Sequence, residues 1–240
     1  MTQIVFTNTF GVPEEYAPKP ASQLIPEWYK NTESYLGNEK KPDGQGMTTG
    51  TIKRCMPVFD AINSGYFLIT HTDIWVTQRD EIDQITGKPT GKKTPWLEWP
   101  SFEPIAFHPP EQAPLHPKAT GSPVPKWINP WSIKTPLGYS TLFVAPFHRD
   151  NVFNALPGVV DTDTYTAPVN IIFTLSDPNF EGLVPSGTPI VQVIPFKRES
   201  WEMSLGDIKD LQSQASVTVK LRTKFFDSYK TQYRQVKEYK

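Results

Sequence analysis

Three segments in the second half of the chain alternate between apolar and polar residues with the period of a β-strand. They are GYSTLFVAPF after the turn TPLG, APVNIIFTL, and TPIVQVIPF after the turn VPSG. A period of two residues puts alternate side chains on one face of a strand, as for Val169, Ile171, Phe173 and Leu175. Short strands separated by proline and glycine turns are typical of sandwiches and barrels, so this pattern predicts an all-β fold.

The first half of the chain contains strand patterns as well. They begin at IKRCMPVFDAI and continue in GYFLITHTDIWVTQ, where Phe67, Ile69 and His71 share one face by the same period. The charged segment RDEIDQITGKPTGKKTPW that follows is predicted to be the tip of a hairpin.

The sequence pattern divides the chain into regions with different predicted structures. Residues 1–50 predict an N-terminal arm with one short helix after Pro26, and residues 51–206 predict the β core. Within the core, residues 94–136 form an insertion in which proline recurs every few residues among four tryptophans. Because repeated proline favours extended backbone and tryptophan favours burial, we predict an ordered wrap over the core or over a neighbouring subunit.

Residues 207–240 form a tail with a helical pattern instead. Its apolar residues recur at spacings of 4, 4, 4 and 3: Leu221, Phe225, Tyr229, Tyr233 and Val236. Spacing of this kind places the side chains on one stripe of an amphipathic helix. We therefore predict a C-terminal helix that docks by its apolar stripe and turns a basic face to solvent.

Composition narrows the classes of function. The 25 prolines do not fit helix interiors or central strands, which agrees with a β fold that has ordered loops. The net charge of −1 gives no general attraction to nucleic acid or to an anionic membrane, so a nucleic-acid partner is not expected. Cys55 is the lone cysteine, which excludes an internal disulfide framework and a cysteine-rich zinc site. Since no secretory signal and no apolar run of membrane-spanning length occur, we expect neither secretion by a signal peptide nor membrane insertion.

The segment GVVDTDTYTAPVNIIFTLSDPNFEGLVPSGTPIVQVIPF resembles the third and fourth motifs of the trimeric dUTPase family. The residues that fit the family pattern are Gly158, Asp161, Asp163, Tyr165, Gly187, Ile190 and Gln192. Upstream, TPLGYSTLFVAP and NSGYFLI are similar to its second and first motifs. The resemblance implies a β-clip fold, which is usually trimeric and has active sites shared between subunits.

Several positions depart from the dUTPase pattern. Phe67 stands where the first motif has an aspartate, and Pro146 is followed by Phe147, His148 and Arg149 where the second motif has Arg-Ser-Ser. The glycine-rich fifth motif that closes over the triphosphate is absent, and the strand VNIIFTL lacks the glutamate that the related dCTP deaminases need. Most of the groups that would neutralise phosphate charge are therefore missing.

Asp161 allows two interpretations. As a catalytic base it would align a water for attack on a nucleotide phosphate with Mg²⁺, whereas as a structural residue it would accept backbone N–H groups in the turn before the next strand. In a nucleotide hydrolase of the dUTPase or dCTP deaminase type, the site residues would be Asp161, Tyr165, His148, Arg149 and Gln192. Without catalysis, Gln192 on its apolar strand is expected to be a buried, hydrogen-bonded amide or a subunit contact.

A different chemistry is suggested by His71 and Asp73. Together with His148 they imitate the His-x-Asp and distant His of the facial triad that binds Fe²⁺ in non-haem iron oxygenases. A strand period of two places His71 and Asp73 on one face. The alternative is that this face is a half-exposed polar surface with no metal.

The chain as a whole also resembles a family from phage and bacterial genomes that has no established activity. The matching pieces are IPEWYK, CMPVFDAINSGY, HPPEQ, TPLGYSTLFVAPFHR and GTPIVQVIPFKRE. β-clip modules also serve as trimeric decoration proteins of phage particles. The leading expectation is a non-catalytic assembly protein without a cofactor, a phage virion component. It would form homo-oligomers, above all trimers, or bind other assembly proteins, in the virion or the cytoplasm.

Overall fold

The computed structural model describes residues 2–36, 50–83, 85–100, 103–112, 124–207 and 229–238. The chain divides into two compact units, and each is built from two separate stretches of sequence. Unit 1 contains Met1–Ala21 and Gly65–Arg198, whereas unit 2 contains Ser22–Ser64 and Glu199–Lys240.

Unit 1 is made of antiparallel strands joined by turns and loops, as the all-β prediction requires. In chain order the strands are β1 (Val5–Asn8), β2 (Lys19–Pro20), β3 (Tyr66–Ile69), β4 (Ile74–Ile82), β5 (Pro89–Glu98), β6 (Ile105–His108), β7 (Val124–Trp127), β8 (Trp131–Lys134), β9 (Tyr139–Val144), β10 (Phe153–Ala155), β11 (Gly158–Val160), β12 (Ile171–Leu175), β13 (Gly182–Val184) and β14 (Pro189–Lys197). The three segments with the clearest alternation thus become β9, β12 and β14.

A five-stranded sheet in the order β11, β9, β14, β3, β2 carries most of the candidate site residues on its strands and adjoining loops. Its middle strand, β14, is buried on both faces, since Val191, Gln192 and Val193 are at most 1% exposed. Gln192 lies opposite Val144 of β9 on one side and opposite Phe67 of β3 on the other. This register fixes which loops lie beside each other at the two ends of the sheet.

The remaining strands form a four-stranded sheet (β10, β12, β7, β6), a three-stranded sheet (β13, β4, β5) and the pair β1 and β8. The predicted charged hairpin is confirmed by β4 and β5. In its turn, an Asp83 carboxylate oxygen accepts the N–H groups of Ile85 and Thr86 at 2.9 and 2.7 Å. Such a side chain stabilises a turn by satisfying backbone donors.

Residues 94–136, predicted to be an extended wrap, supply strands to the sheets of unit 1. The end of β5 and all of β6, β7 and β8 lie in this stretch, whereas residues 101–102 and 113–123 lie outside the described part. Trp127 and Trp131 are 2% and 7% exposed. These two tryptophans are therefore buried by sheet packing within the unit.

Unit 2 corrects one secondary-structure prediction. The segment IKRCMPVFDAI, predicted as strand, forms a 3-10 turn at Ile52–Arg54 and then helix α2 (Met56–Asn63). Pro57 suits the first turn of a helix because the N–H that proline lacks has no intrahelical partner there. The helix predicted after Pro26 is confirmed as α1 (Glu27–Asn31). Further 3-10 turns of the chain span Glu14–Tyr16, Ala21–Gln23 and Pro110–Gln112.

The C-terminal tail is only partly described. Residues 221–228, which include two members of the predicted apolar stripe, lie outside the described part. Tyr229–Tyr233 form one π-helical turn, closed by a bond from the Arg234 N–H to the Tyr229 carbonyl at 2.8 Å, and residues 234–238 are irregular. The predicted helix therefore does not continue through Val236, because Arg234 leaves the helical path to bind a carboxylate of α2. No described helix is long and apolar enough to cross a membrane.

Candidate functional site

The acidic turn of residues 161–165 follows β11 and precedes β12. The carbonyl of Asp161 accepts the N–H groups of Thr164 and Tyr165 at 3.1 and 2.8 Å. The sequence DTDTY folds this way because aspartate and threonine readily form local turns. The turn holds its two carboxylates beside the first residues of β9.

Buried hydroxyl groups hold this turn in place. Thr162 is fully buried, and its hydroxyl lies 2.8 Å from the hydroxyls of both Thr135 and Thr141. The Thr162 carbonyl also accepts the Thr135 N–H at 3.1 Å. Because buried polar groups are costly unless they are paired, this network fixes the turn in one conformation.

Asp163 lies inside an ion pair. Its side chain is 1% exposed, and it accepts the Gly138 N–H at 2.8 Å. The Arg198 guanidinium donates from Nη1 to Oδ1 at 2.9 Å and from Nη2 to Oδ2, which makes a bidentate pair. Such a pair is the strongest type of side-chain hydrogen bonding between charged groups.

Asp161 shares the same arginine but remains 61% exposed. Its Oδ1 accepts the Ser140 hydroxyl at 2.6 Å and lies 3.1 Å from the Arg198 Nη1. The carboxylate thus has a hydroxyl and a cation as partners, while part of its surface still faces solvent.

The pairing perturbs the pKa values of both partners. The Arg198 guanidinium, together with the Gly138 N–H, lowers the pKa of Asp163 from its ordinary value to about 2. The Asp163 carboxylate, and to a lesser extent Asp161, raises the pKa of Arg198. Asp163 and Arg198 are therefore both ionised at neutral pH.

Sequence reasoning gave no role to Arg198, the residue on which the acidic cluster depends. Arg198 follows β14 directly, and the β9–β14 register places Lys197 opposite Tyr139. The Arg198 N–H bonds the Gly138 carbonyl at 2.8 Å, and the side chain reaches the acidic turn from there. The feature that would have pointed to Arg198 is a cation one residue after the strand that pairs with β9.

Gln192 lies in the first half of β14, away from the end that adjoins the acidic turn. It is fully buried, and its Oε1 accepts the Phe147 N–H at 2.9 Å. Gln192 and Phe196 are four positions apart, and Phe196 pairs with Ser140 beside the acidic turn. At about 3.3 Å per residue, this is a separation of roughly 13 Å along the strand. Within one chain, Gln192 and Asp161 therefore do not meet around one cavity.

Arg149 and His148 lie in the loop after β9, at the Gln192 end. The Arg149 Cζ lies 4.9 Å from the centre of the Phe67 ring. Phe67 stands at the position where the dUTPase pattern has an aspartate. Burial lowers the pKa of Arg149. His148 is exposed and has a φ of 54°, the left-handed region that non-glycine residues seldom occupy. Tyr165, in the acidic turn, is 49% exposed. The five hydrolase candidates thus divide between two ends of the sheet.

The iron-triad candidates have other partners. His71 packs edge-on against Trp127 at 5.9 Å between ring centres, and burial lowers its pKa. An Asp73 carboxylate oxygen accepts the Ser186 N–H at 2.7 Å. Among the described residues, no three His, Cys, Asp or Glu side chains form a group that could hold a metal ion. The structure therefore does not assemble His71, Asp73 and His148 as a ligand set.

Comparison with known proteins finds similarity among solved structures. No family model matches the sequence, and no curated protein matches it. Among solved structures, the chain is similar to a mutant dUTPase from phage phi11 of S. aureus. The identity is 11%, the TM-score is 0.32, and the match covers 85% of this chain and 97% of that one. The resemblance is weak.

Proposed function

We propose that the protein is a non-catalytic assembly protein, a phage virion component that forms homo-oligomers, with a trimer as the favoured state. The observation that supports this function most directly is the pairing of Asp161 and Asp163 with Arg198. The acidic pair at the centre of the dUTPase-like segment joins three parts of unit 1: the turn 161–165, residues 138–140 and the end of β14. This is the arrangement of a structural clamp.

The chemistry of nucleotide hydrolysis makes a demand that this clamp does not meet. Phosphate groups need cations that are free to bind them, yet Arg198 is engaged by two carboxylates. Arg149 lies toward the far end of β14, where the loop that carries it is bonded to Gln192.

A hydrolysis assay tests the absence of catalysis. The full chain is incubated with dUTP and with dCTP in the presence of Mg²⁺, and release of pyrophosphate or ammonia is measured beside Asp161→Ala. We expect both proteins to give the background rate, because the proposed role of the clamp is purely structural. Turnover by the natural protein that Asp161→Ala abolishes would overturn the proposal.

The oligomeric state tests the assembly role. Light scattering on the eluting protein gives the mass in solution, and we expect three times the chain mass of 27.2 kDa. A mass of 27.2 kDa at all protein concentrations up to the millimolar range would rule out self-assembly.

A further inference from the structure

The three-stranded sheet of unit 1 (β13, β4, β5) has a packed face and a solvent face. Successive residues of a strand point to opposite faces. On the packed face, Ile74 and Val76 of β4 are 0% and 1% exposed. On the solvent face, Trp75, Trp96 and Leu183 are 42%, 47% and 47% exposed. The packed side therefore gives a rigid support to large apolar side chains that meet solvent.

Trp75 lies in the middle of this solvent face. It is opposite Leu183 of β13 on one side and opposite Glu98 of β5 on the other. Side chains directly opposite each other on one face have Cβ atoms about 4.5–5.5 Å apart. Among the described residues, the Trp75 indole has no ring, cation or hydrogen-bond partner. An apolar and an acidic side chain therefore flank an indole that is open to a ligand.

Polar groups with unused hydrogen-bonding capacity lie beside this indole. The Arg79 Cζ lies 4.0 Å from the centre of the Trp96 ring, and the Arg79 Nη2 donates to the Glu98 Oε1. Both charged side chains are about half exposed, at 51% and 50%. The second oxygen, Glu98 Oε2, and the second amino group, Arg79 Nη1, have no partner among the described residues. The pair thus offers one acceptor and one donor group to a bound molecule.

The size and charge of the face narrow the class of ligand. Two half-exposed tryptophans leave on the order of 100 Å² each to solvent. Even with Leu183 added, this is far below the roughly 800 Å² that a stable protein partner covers on each side. A nucleic-acid strand needs cations for its phosphates, yet Arg79 is paired with Glu98 and their charges cancel. The face therefore suits a neutral ligand that has an apolar ring face and hydroxyl groups at its edge.

We propose that the solvent face of this sheet binds a neutral glycan, a chain of pyranose rings joined by equatorial bonds as in cellulose and chitin. The C–H groups of such a ring form an apolar face, which packs on the Trp75 indole. Its equatorial hydroxyls point outward in the plane of the ring, where Glu98 accepts and Arg79 donates hydrogen bonds. An equatorially linked chain is as flat as the sheet face, whereas the axial bonds of amylose make a chain curl away. The inference does not depend on the oligomeric state and requires no catalysis.

Isothermal titration of the full chain tests the glycan site. Cellohexaose and chitohexaose are the probes, and they separate a glucose chain from an N-acetylglucosamine chain; maltohexaose has the same length but axial bonds. We expect one of the first two probes to bind, and maltohexaose to bind more weakly. Trp75→Ala should raise the Kd of the bound glycan at least about tenfold, because the stacking surface is lost. Trp75→Tyr keeps an aromatic ring and should raise it less.

Two further variants make the result specific. Trp201→Ala removes a tryptophan that is 86% exposed and lies outside the described strands, so it should leave the Kd unchanged. Glu98→Gln keeps the shape of the side chain but weakens its acceptor, so the Kd should rise about threefold or more. This second variant still decides the question if Trp75→Ala does not fold.

Three results would overturn the proposal. The first is no binding of cellohexaose or chitohexaose up to about 10 mM, and the second is an equal Kd for Trp75→Ala and the natural protein or for maltohexaose and the bound glycan. The third is a smaller mass of Trp75→Ala in light scattering. That result would show that the solvent face is a contact between copies of the chain rather than a glycan site.

Discussion

At the scale of single residues, Asp163 is the carboxylate most strongly coupled to the fold. Its pKa in the folded chain is about 2, because of Arg198 and the Gly138 N–H, whereas an unfolded aspartate has a pKa of about 3.9. A folded-state pKa that is depressed gives a contribution to stability that is complete above the unfolded pKa and disappears as the pH falls through the folded pKa. The contribution of Asp163 should therefore be lost between about pH 4 and pH 2.

Asp163→Asn tests this dependence. The variant removes the charge but keeps the size, so its urea midpoint should lie below that of the natural protein at pH 7, and the gap should close as the pH approaches 2. Asp161→Asn is the matched control, since Asp161 is 61% exposed and shares the same arginine. It should change the midpoint less. A gap for Asp163→Asn that is constant from pH 7 to pH 2 would show that the ion pair is not the source of the stability.

The residue scale also shows where prediction from sequence ends. The pattern DTDTY indicates a turn, and the apolar surroundings of Gln192 indicate a buried amide, because both inferences use neighbours in the chain. Arg198 lies 35 residues from Asp163, and only the pairing of β9 with β14 brings it there. The lack of an acceptor for Arg149 Nε and Nη2 among the described residues likewise depends on three-dimensional packing.

At the scale of elements, Gly65 sets how closely the start of β3 approaches β14. Its φ is +68°, and a Cβ built on it would lie 2.0 Å from the Val193 carbonyl oxygen. No real Cβ makes such a contact with backbone, so either β3 or β14 would have to move. Glycine is therefore required at this point by both the conformation and the space.

Gly65→Ala should consequently prevent the five-stranded sheet from forming as described. Gly138→Ala is the matched control, because Gly138 also has a positive φ, +85°, but has open space where a Cβ would lie. We expect Gly138→Ala to cost about 1–2 kcal/mol, the strain of a left-handed alanine. Gly65→Ala should cost clearly more, seen as insoluble protein or as a much lower urea midpoint. Equal midpoints for the two variants would mean that the β3–β14 approach is not as close as described.

Element types were predictable to the extent that local pattern is unambiguous. The segments of β9, β12 and β14 alternate with a strand period over several residues, and each forms the predicted strand. The segment MPVFDAIN is short and rich in apolar residues, so its periodicity alone suits a strand or a helix. Pro57 favours a helix start at this point, whereas the apolar run around it also suits a strand.

At the scale of the whole molecule, the Asp60 carboxylate links the two sequence stretches of unit 2. Asp60 of α2 accepts the Arg234 Nη2 at 2.6 Å and Nε at 3.0 Å, and the Lys237 Nζ at 3.0 Å. The Arg234 guanidinium, and after it Lys237, lowers the pKa of Asp60. The Arg234 Cζ also lies 5.5 Å from the centre of the Phe59 ring. Residues 229–238 are thus attached to α2 by a charged and partly stacked contact.

Asp60→Ala should release this segment. Trypsin cleavage after Arg234 and Lys237 is expected to become at least about tenfold faster, which corresponds to a loss of about 1.4 kcal/mol in the closed state. Glu27→Gln removes an exposed carboxylate of the same unit that pairs with Lys30, and it should leave the cleavage rate unchanged. Unchanged cleavage in Asp60→Ala would show that other contacts hold the segment.

The division of the chain into two units was outside the reach of sequence patterns. Composition and periodicity change near residues 50 and 207, but contacts join Ser22–Ser64 with Glu199–Lys240 although the β strands lie between them in the sequence. Only long-range contacts reveal that the stretch before β3 and the stretch after β14 form one unit.

This discontinuity has a consequence for how the protein is made. A ribosome delivers the chain from its first residue, so the helix that carries Asp60 emerges long before Arg234, its partner 174 positions later. The central strand of the largest sheet also arrives late, because β14 begins at Pro189. Unit 1 can be completed only after Arg198 has been made, and the Asp60 contact of unit 2 only after Arg234 has been made, so regions made near the start wait for partners that arrive much later.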